Sequence, residues 1–207
     1  MTIDMGDLAL LILFVLCLAI FVYLLIKVLK GRAIRIDEVG YLLLVERLRS
    51  PVLTAAMKAV SSLASLPFVV GVLAAAMLWA PNWAHVVWAA FNVGAISAID
   101  QLLKVLVRRP RPQGFRLVEA PGLSFPSGHS MAAMAFYGHG IWLVRCGMCG
   151  LPLGAAIEVA LACVILAVGV SRVYLGVHYV SDVLGGFCLS FVWLILFVHI
   201  GPWILTV

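Results

Sequence analysis

The chain of 207 residues is 65% hydrophobic and only 11% charged. Soluble domains are about 45–50% apolar and about 25% charged, so this composition excludes an ordinary soluble protein and indicates an integral membrane protein. The net charge of +5 does not point to nucleic acid, because the basic residues cluster beside apolar segments. Anionic lipid headgroups and phosphates are the expected partners there.

The first apolar run, Leu8 to Leu29, is longer than the ~20 residues that cross a hydrocarbon core, and no cleavage site follows it. It is predicted to be a retained transmembrane helix. From Ile36 to Ser62, charged residues such as Glu46, Arg47 and Arg49 interrupt the apolar residues too often for a span, which predicts an amphipathic interfacial helix with a break at Pro51. Leu63 to Trp79 is predicted to form the second span.

A third span is predicted from about His85 to Val107, and Pro110 prevents it from continuing. It carries Asp100 and Lys104 at i, i+4, which are predicted to pair. No linker or repeat interrupts the chain, so the prediction is one all-α domain, residues 1–207, with six transmembrane helices and an interfacial helix between the first two. The fourth span is predicted to start at Pro126 to His129 and to run to about Val144. The last two are predicted over Leu153 to about Val170 and about Tyr179 to Val198.

Counting these spans puts three polar segments at the same end of the bundle. Lys104, Arg111 and Arg172 would supply three fixed positive charges there, and arginine offers a planar fork for two phosphate oxygens. The alternative is that such cations reach out to lipid headgroups. That alternative is the favoured interpretation for Arg108, Arg109 and Arg116.

Pro126-Ser127-Gly128-His129 has the composition of a helix start whose unpaired N–H groups face an anion. His178 and Asp182 are four residues apart and would lie on one face of a helix. The carboxylate could then bond one ring nitrogen and leave the other free as a nucleophile. A purely structural contact between this histidine and this aspartate is the open alternative.

Together these segments read K-x6-R-P, P-S-G-H and S-R-x5-H-x3-D, which resembles the three-part signature of the type 2 phosphatidic acid phosphatase superfamily. Every position of the signature is present. The segment from Ile36 to Pro51 also looks like the interfacial region of bacterial lipid phosphatases in this group. The resemblance therefore covers most of the chain.

The resemblance implies a phosphohydrolase that needs neither a metal nor another cofactor. It implies that His178 attacks phosphorus, that Asp182 orients His178, and that His129 protonates the leaving oxygen and later activates water. The phosphoryl oxygens would be held by the three cations together with the Ser127 hydroxyl and the Gly128 amide. Phosphoryl transfer depends mainly on alignment and on stabilising charge on the equatorial oxygens, which suits such a site.

A site at a membrane face favours a substrate whose phosphate lies at headgroup level and whose tail stays in lipid. Undecaprenyl diphosphate is the first choice, and phosphatidylglycerophosphate, phosphatidate and lipid A phosphates are alternatives. A lipid transporter or flippase would share the spans and the buried charges, but it would not require two histidines and an aspartate beside three cations. Membrane lipids are expected partners, nucleic acid is not, and the sequence leaves the oligomeric state open.

The sequence gives two opposite predictions for the side of the membrane. The positive-inside rule puts the catalytic end in the cytoplasm, whereas the family resemblance implies the extracytoplasmic face of the cell (inner) membrane. Against Arg145 alone at the opposite end, the catalytic end carries, besides the phosphate-binding candidates, Lys27, Lys30, Arg32, Arg35, Arg47, Arg49, Lys58, Arg108, Arg109 and Arg116.

Overall fold

The computed structural model describes residues 5–32, 34–79, 83–148 and 150–205, so the outer ends of the predicted single domain lie outside the described residues. Within these ranges the chain is helical and has no strand, in agreement with the predicted all-α class. A π-helical segment, Tyr41–Arg47, continues directly from the second helix. The helices are α1 Met5–Leu29, α2 Arg35–Gly40, α3 Pro51–Ser62, α4 Leu66–Trp79, α5 Trp83–Val107, α6 Gly128–Met148, α7 Pro152–Tyr174 and α8 Val180–Leu205.

Four helices in the described part of the chain are long and apolar enough to cross a membrane, and α3 with α4 forms a fifth candidate if this bent pair is one span. The four are α1, α5, α7 and α8. Helix α6 was predicted to be a further span but is not among these candidates. Its sequence is rich in glycine, alanine and polar residues, which lowers its hydropathy. Such residues are tolerated there because α6 packs against α5, α7 and α8.

The second predicted span differs from the structure at its start. Helix α4 has only 14 residues, which correspond to about 21 Å and fall short of a hydrocarbon core of about 30 Å. Helix α3, which the sequence assigned to the interfacial region, begins at Pro51 and packs against α7. The two helices meet at an angle of 50°, and Tyr137 Oη donates to the Leu63 carbonyl at this bend across 2.8 Å.

Small residues let α6 and α7 approach α8 closely. A Cβ atom on Gly138 would lie 2.7 Å from a side-chain carbon of Leu194, and one on Gly169 would lie 2.5 Å from the Phe187 ring. Small residues at such contacts are a usual means of helix association in membranes, where no hydrophobic effect drives helices together. The resulting close packing of α6, α7 and α8 fixes the positions of the polar segments at their ends.

One buried amide joins three helices in the middle of the bundle. The Asn92 side chain of α5 donates to the Ala135 carbonyl of α6 across 2.9 Å. It also accepts a hydrogen bond of 2.8 Å from the Trp193 indole of α8. Interhelical hydrogen bonds of this kind hold membrane helices together at about 0.6–2 kcal/mol each.

Candidate active site

All three polar segments lie at one end of the bundle, as the span count predicted. Arg111 follows α5, Gly128 begins α6, and Arg172 lies in the last turn of α7, which runs past its predicted end at Val170 to Tyr174. Two hydrogen bonds join the segments: Ser127 N–H donates to the Asp182 carbonyl across 3.0 Å, and Arg111 Nη1 donates to the Val177 carbonyl across 3.1 Å.

His178 lies in the turn before α8, not on a helix as the spacing had suggested. Its backbone N–H donates to the Arg172 carbonyl across 3.3 Å, so the end of α7 fixes the turn. Gly176 has a φ of +72° there, and a Cβ at this position would lie 2.7 Å from the Phe115 carbonyl oxygen. The turn therefore requires glycine on both conformational and steric grounds.

The contacts of His178 fix its tautomer. Arg111 Nη1 lies 3.1 Å from His178 Nε2, and because a guanidinium can only donate, Nε2 must be the unprotonated nitrogen. The proton is then on Nδ1, which lies 3.5 Å from Asp182 Oδ2. Burial lowers the pKa of His178 to about 4, although Asp182 opposes this effect, so the imidazole is neutral at pH 7.

Asp182 is fully buried and saturated with hydrogen bonds. Its Oδ2 accepts from the Ser124 hydroxyl across 2.5 Å and from the Tyr179 N–H across 2.8 Å. Its Oδ1 accepts from Arg109 Nη1 across 2.6 Å. These bonds hold the carboxylate beside His178 Nδ1. Ser124 was not identified from the sequence, because it lies 58 residues from Asp182 in a connection without a recognisable pattern.

The interpretation of Arg109 as a lipid-facing cation is wrong. Its guanidinium forms ion pairs with Asp182 at 2.6 Å and with Asp37 at 2.8 Å, and its side chain is only 15% exposed. It also lies 4.1 Å above the Tyr179 ring. One feature of the sequence could have indicated this pairing. Asp37 has no basic residue three or four positions away, so its carboxylate needed a partner from a distant part of the chain.

Lys104 and Asp100 form the ion pair that their spacing predicted, with Nζ 2.6 Å from Oδ2. Gly128 approaches this pair closely: a Cβ would lie 2.8 Å from Asp100 Oδ2 and 3.2 Å from Lys104 Nζ. Ser127 is fully buried, and its hydroxyl accepts a hydrogen bond of 3.0 Å from Ser130. The start of α6 is therefore in direct contact with the lysine.

Arg172 is buried, and its Nη1 bonds the Ser61 hydroxyl of α3. Its Nε has no hydrogen-bond partner. Among the residues that the structure describes, no carboxylate lies within ion-pair distance of Arg172 or of Arg111. Partial burial lowers the pKa of the Arg111 guanidinium, with Asp182 opposing this effect. Two adjacent cations without counterions form an environment that favours a bound anion.

His129, at the start of α6, lies within electrostatic range of His178, Lys104, Arg111 and Arg172. It borders a cavity of about 470 Å³ together with Lys104, Arg111 and Gly128. Apolar residues of α4 and α5 also line this cavity, among them Leu66, Val69, Val93, Ile96 and Val105. The lining of the cavity thus combines cationic and apolar side chains.

The fold and the site together define an all-helical protein with several apolar helices and a cationic, two-histidine centre at one end of the bundle. Residues 85–205 match the family model of the PAP2 superfamily. The chain belongs to this superfamily, as the signature in its sequence had indicated.

Curated relatives support the same family. Phosphatidylglycerophosphatase B of Bacillus subtilis (strain 168) is 41% identical over 98 residues, which are 47% of this chain and 48% of that protein. Decaprenylphosphoryl-5-phosphoribose phosphatase of Mycobacterium tuberculosis (strain ATCC 25618 / H37Rv) is 37% identical over 109 residues, which are 50% of this chain and 55% of that protein. The chain matches about half the length of these relatives.

Two solved structures share the fold. The transmembrane PAP2 type phosphatidylglycerolphosphate phosphatase of Bacillus subtilis has a TM-score of 0.73 and 27% identity, and the match covers 90% of this chain and 96% of that one. LpxE of Aquifex aeolicus has a TM-score of 0.62 and 21% identity, over 78% of this chain and 93% of that one. The second similarity concerns the fold alone.

Proposed function

We propose that this protein is a metal-independent phosphatase of membrane lipids that works through a phosphohistidine intermediate. The observation that carries the proposal is the pair of guanidinium groups without counterions, Arg111 and Arg172, beside the neutral and buried His178. A phosphate dianion entering between these groups supplies the missing negative charge. The neutral imidazole then has a nucleophilic nitrogen next to phosphorus.

In the first step the substrate phosphate takes over the hydrogen bond that Arg111 donates to His178. The freed Nε2 attacks phosphorus, a P–N bond forms, and the P–O bond to the leaving group breaks. His129 gives its proton to the departing oxygen. Asp182 stabilises the positive charge that develops on the imidazole, because its carboxylate lies 3.5 Å from Nδ1.

In the second step water attacks the phosphohistidine. His129, now neutral, takes a proton from this water, the P–N bond breaks, and inorganic phosphate leaves. Lys104, Arg111 and Arg172 hold the phosphoryl oxygens throughout, with the Ser127 hydroxyl and the Gly128 amide. In this proposal the fixed cations provide the charge that Mg²⁺ provides in many other phosphoryl-transfer enzymes.

The proposed substrate is a lipid with a terminal phosphate, held either as a monoester or in a diphosphate. The cavity beside His129 supports this class, since a phosphate fits the cationic side chains of its lining and a tail fits the apolar ones. Two relatives carry names that refer to phosphatidylglycerophosphate and one to a prenyl-linked phosphosugar. We therefore place phosphatidylglycerophosphate before undecaprenyl diphosphate, the first choice from the sequence, and keep phosphatidate and lipid A phosphates as further candidates.

The proposed architecture is one domain with six spans, in which α3 and α4 form one bent span and α6 crosses the membrane inside the bundle. Helix α6 has 21 residues, about 31 Å, and its neighbours α5, α7 and α8 shield its polar groups from lipid. Helix α2 and the π-helical segment after it would lie in the interface, because both precede the span and expose charged residues.

A separate experiment is needed to determine which side of the membrane the catalytic end faces. Arg49 donates to the carbonyls of Phe115 and Tyr174, and Arg109 is paired with two carboxylates, so neither is free to act as an orientation signal. The other basic residues at the catalytic end still outnumber Arg145, which favours the cytoplasmic face against the family resemblance. Labelling of single cysteines introduced between Gln113 and Phe125 in intact cells distinguishes the two orientations.

The test of the proposed function is phosphate release by the purified protein in the presence of EDTA. Phosphatidylglycerophosphate, undecaprenyl diphosphate, phosphatidate and a water-soluble phosphate ester are compared. We expect His178→Ala to lower turnover at least ~10³-fold, as loss of a nucleophile does. The matched control is His199→Ala, since that exposed imidazole bonds only the Ile195 carbonyl of its own helix. Release from none of the lipids, or release only with added metal, would overturn the proposal.

A further inference from the structure

Arg109 connects the interfacial helix α2 to the carboxylate that faces His178. Its Nη1 lies 2.6 Å from Asp182 Oδ1 and its Nη2 lies 2.8 Å from Asp37 Oδ2. The exposed fractions of the two carboxylate side chains are 0% for Asp182 and 10% for Asp37. A two-sided ion pair of this kind is shielded from solvent, so its geometry is much more restricted than that of a surface pair.

Asp37 also holds the first turn of α8 directly. Its Oδ1 accepts from the Ser181 N–H across 2.8 Å, and its Oδ2 accepts from the Ser181 hydroxyl across 2.7 Å. The first N–H groups of a helix have no partner within that helix. A carboxylate is a favourable acceptor for them, because it also interacts with the positive end of the helix dipole. Asp37 thus acts as a capping residue that another helix supplies.

Arg109 differs from the two arginines that we assign to phosphate. Both of its terminal nitrogens are occupied, and its guanidinium carbon lies 4.1 Å from the centroid of the Tyr179 ring. Burial would lower its pKa, but Asp182 and Asp37 raise it overall, whereas the pKa of Arg111 is lowered. Because the Arg109 guanidinium is already paired with two carboxylates, it is not assigned as a ligand of the phosphate.

On this basis, and resting on the proposed function, we propose that Arg109 and Asp37 are positioning residues that hold Asp182 against His178 Nδ1. The interfacial helix α2 then completes the active site without contacting the substrate. Asp182 would keep its bonds to Ser124 and Tyr179 if Arg109 were removed, but Oδ1 would be left buried and unpaired. The carboxylate would then rotate, and the orientation and charge stabilisation of His178 would be lost.

The test compares Arg109→Gln, Arg109→Lys, Asp37→Asn and the double variant Asp37→Asn/Arg109→Gln. Arg108→Gln is the matched control, because Arg108 is exposed and bonds only the Val105 carbonyl. For each protein we would measure kcat and KM with the lipid phosphate, together with the affinity and stoichiometry of orthovanadate, a phosphate mimic. Size-exclusion chromatography and thermal unfolding in detergent monitor the fold.

We expect Arg109→Gln and Asp37→Asn to lower kcat about 10- to 100-fold, the size of effect that a misplacement of about 1 Å produces. KM and vanadate affinity should stay within about 3-fold, with full stoichiometry, since the phosphate ligands are intact. Arg109→Lys should recover part of the activity. The double variant should be no worse than the worse single variant, because both substitutions break the same connection.

Three outcomes would overturn this inference. Weakening of vanadate binding in Arg109→Gln by the same factor as kcat would make Arg109 a phosphate ligand. A loss of vanadate stoichiometry equal to the loss of kcat would make the effect one of folding alone. Full activity in both Asp37→Asn and Arg109→Gln would show that neither residue matters. Failure of the proposed function is distinct, because it would appear as a wild-type protein that releases no phosphate.

Discussion

Arg111 Nη1 donates to His178 Nε2 across 3.1 Å, so the cation assigned to phosphate is bound to the nitrogen assigned as nucleophile. In the free protein this bond holds the imidazole in the tautomer that attack requires. In the proposed reaction, a phosphate that enters between Arg111 and His178 replaces this bond and exposes Nε2 next to phosphorus. Binding of the substrate and release of the nucleophile would then be the same event.

Substitution of Arg111 should therefore affect two functions. We expect Arg111→Gln to lower kcat/KM about 10²- to 10³-fold, since one charged hydrogen bond and the imidazole orientation are lost together. Arg111→Lys should recover only part of this, because a single ammonium cannot match the planar guanidinium that contacts both Val177 O and His178. Steady-state kinetics and vanadate titration provide the measurement. Equal activity of the lysine and arginine proteins would contradict this account.

The pKa of His178 leads to a prediction about pH. Burial lowers this pKa from 6.5 to about 4, so the nucleophile stays neutral down to pH values near 4. The general acid His129 must be protonated instead, and the cations around it disfavour that form until a phosphate dianion binds. The rate with bound substrate should therefore be bell-shaped, because the two histidines must be in opposite protonation states. Since the unfolded chain binds this proton more tightly, His178 stabilises the fold above pH 6.5, and this contribution is lost as pH falls towards 4.

NMR of isotope-labelled imidazoles measures this titration directly, and His178→Asn identifies the signal. A His178 resonance that titrates near 6.5, the ordinary pKa of a histidine, would contradict the proposed environment. A flat rate profile from mildly acidic to mildly basic pH would contradict the division of roles between the two histidines. The substrate also titrates in this range, because the second ionisation of a phosphate monoester has a pKa of about 6. Its ionisation is therefore measured separately, and its effect is removed from the rate profile.

His129 should be dispensable for the first step when the leaving group is a weak base. With an aryl phosphate such as p-nitrophenyl phosphate, His129→Ala should still release the phenol once per site, because this oxygen needs no proton to depart. The second step should be slowed about 10²- to 10⁴-fold, the usual contribution of a general base. Rapid-mixing kinetics and mass spectrometry after digestion should then detect phosphate on His178. Phosphate attached to another residue would refute the assigned nucleophile.

Gly128 should not tolerate a side chain. A Cβ there would lie 2.8 Å from Asp100 Oδ2, so Gly128→Ala must displace the Asp100–Lys104 pair or the start of α6. We expect a loss of activity of at least about 10-fold, because a displacement near 1 Å at such a site costs about that much or more. The matched control is Gly94→Ala in α5, where a Cβ meets no atom within 4 Å. If both variants kept full turnover, the close approach of Gly128 to the Asp100–Lys104 pair would not matter for activity.

The local features of the fold and site could be predicted from the sequence. The long apolar runs, the end of α5 before Pro110 and the Asp100–Lys104 pair each depend on residues within a few positions of one another. The signature also marked the eight candidate site residues, but it did so by resemblance. The prediction for Arg109 failed because it needed a partner from another helix: this arginine was assigned to lipid, but it pairs with Asp182 and Asp37.

The sequence by itself determined that this chain enters a membrane and that its phosphate-binding candidates end up on one side, because both follow from the lengths and order of apolar segments. Only the tertiary structure decided which cations are left without a counterion. Arg109 and Arg111 are two residues apart, yet one reaches Asp37 and Asp182 while the other reaches His178. The reason is physical: a charge pairs with whatever the packing of the helices brings within about 4 Å, and chain order does not record that distance.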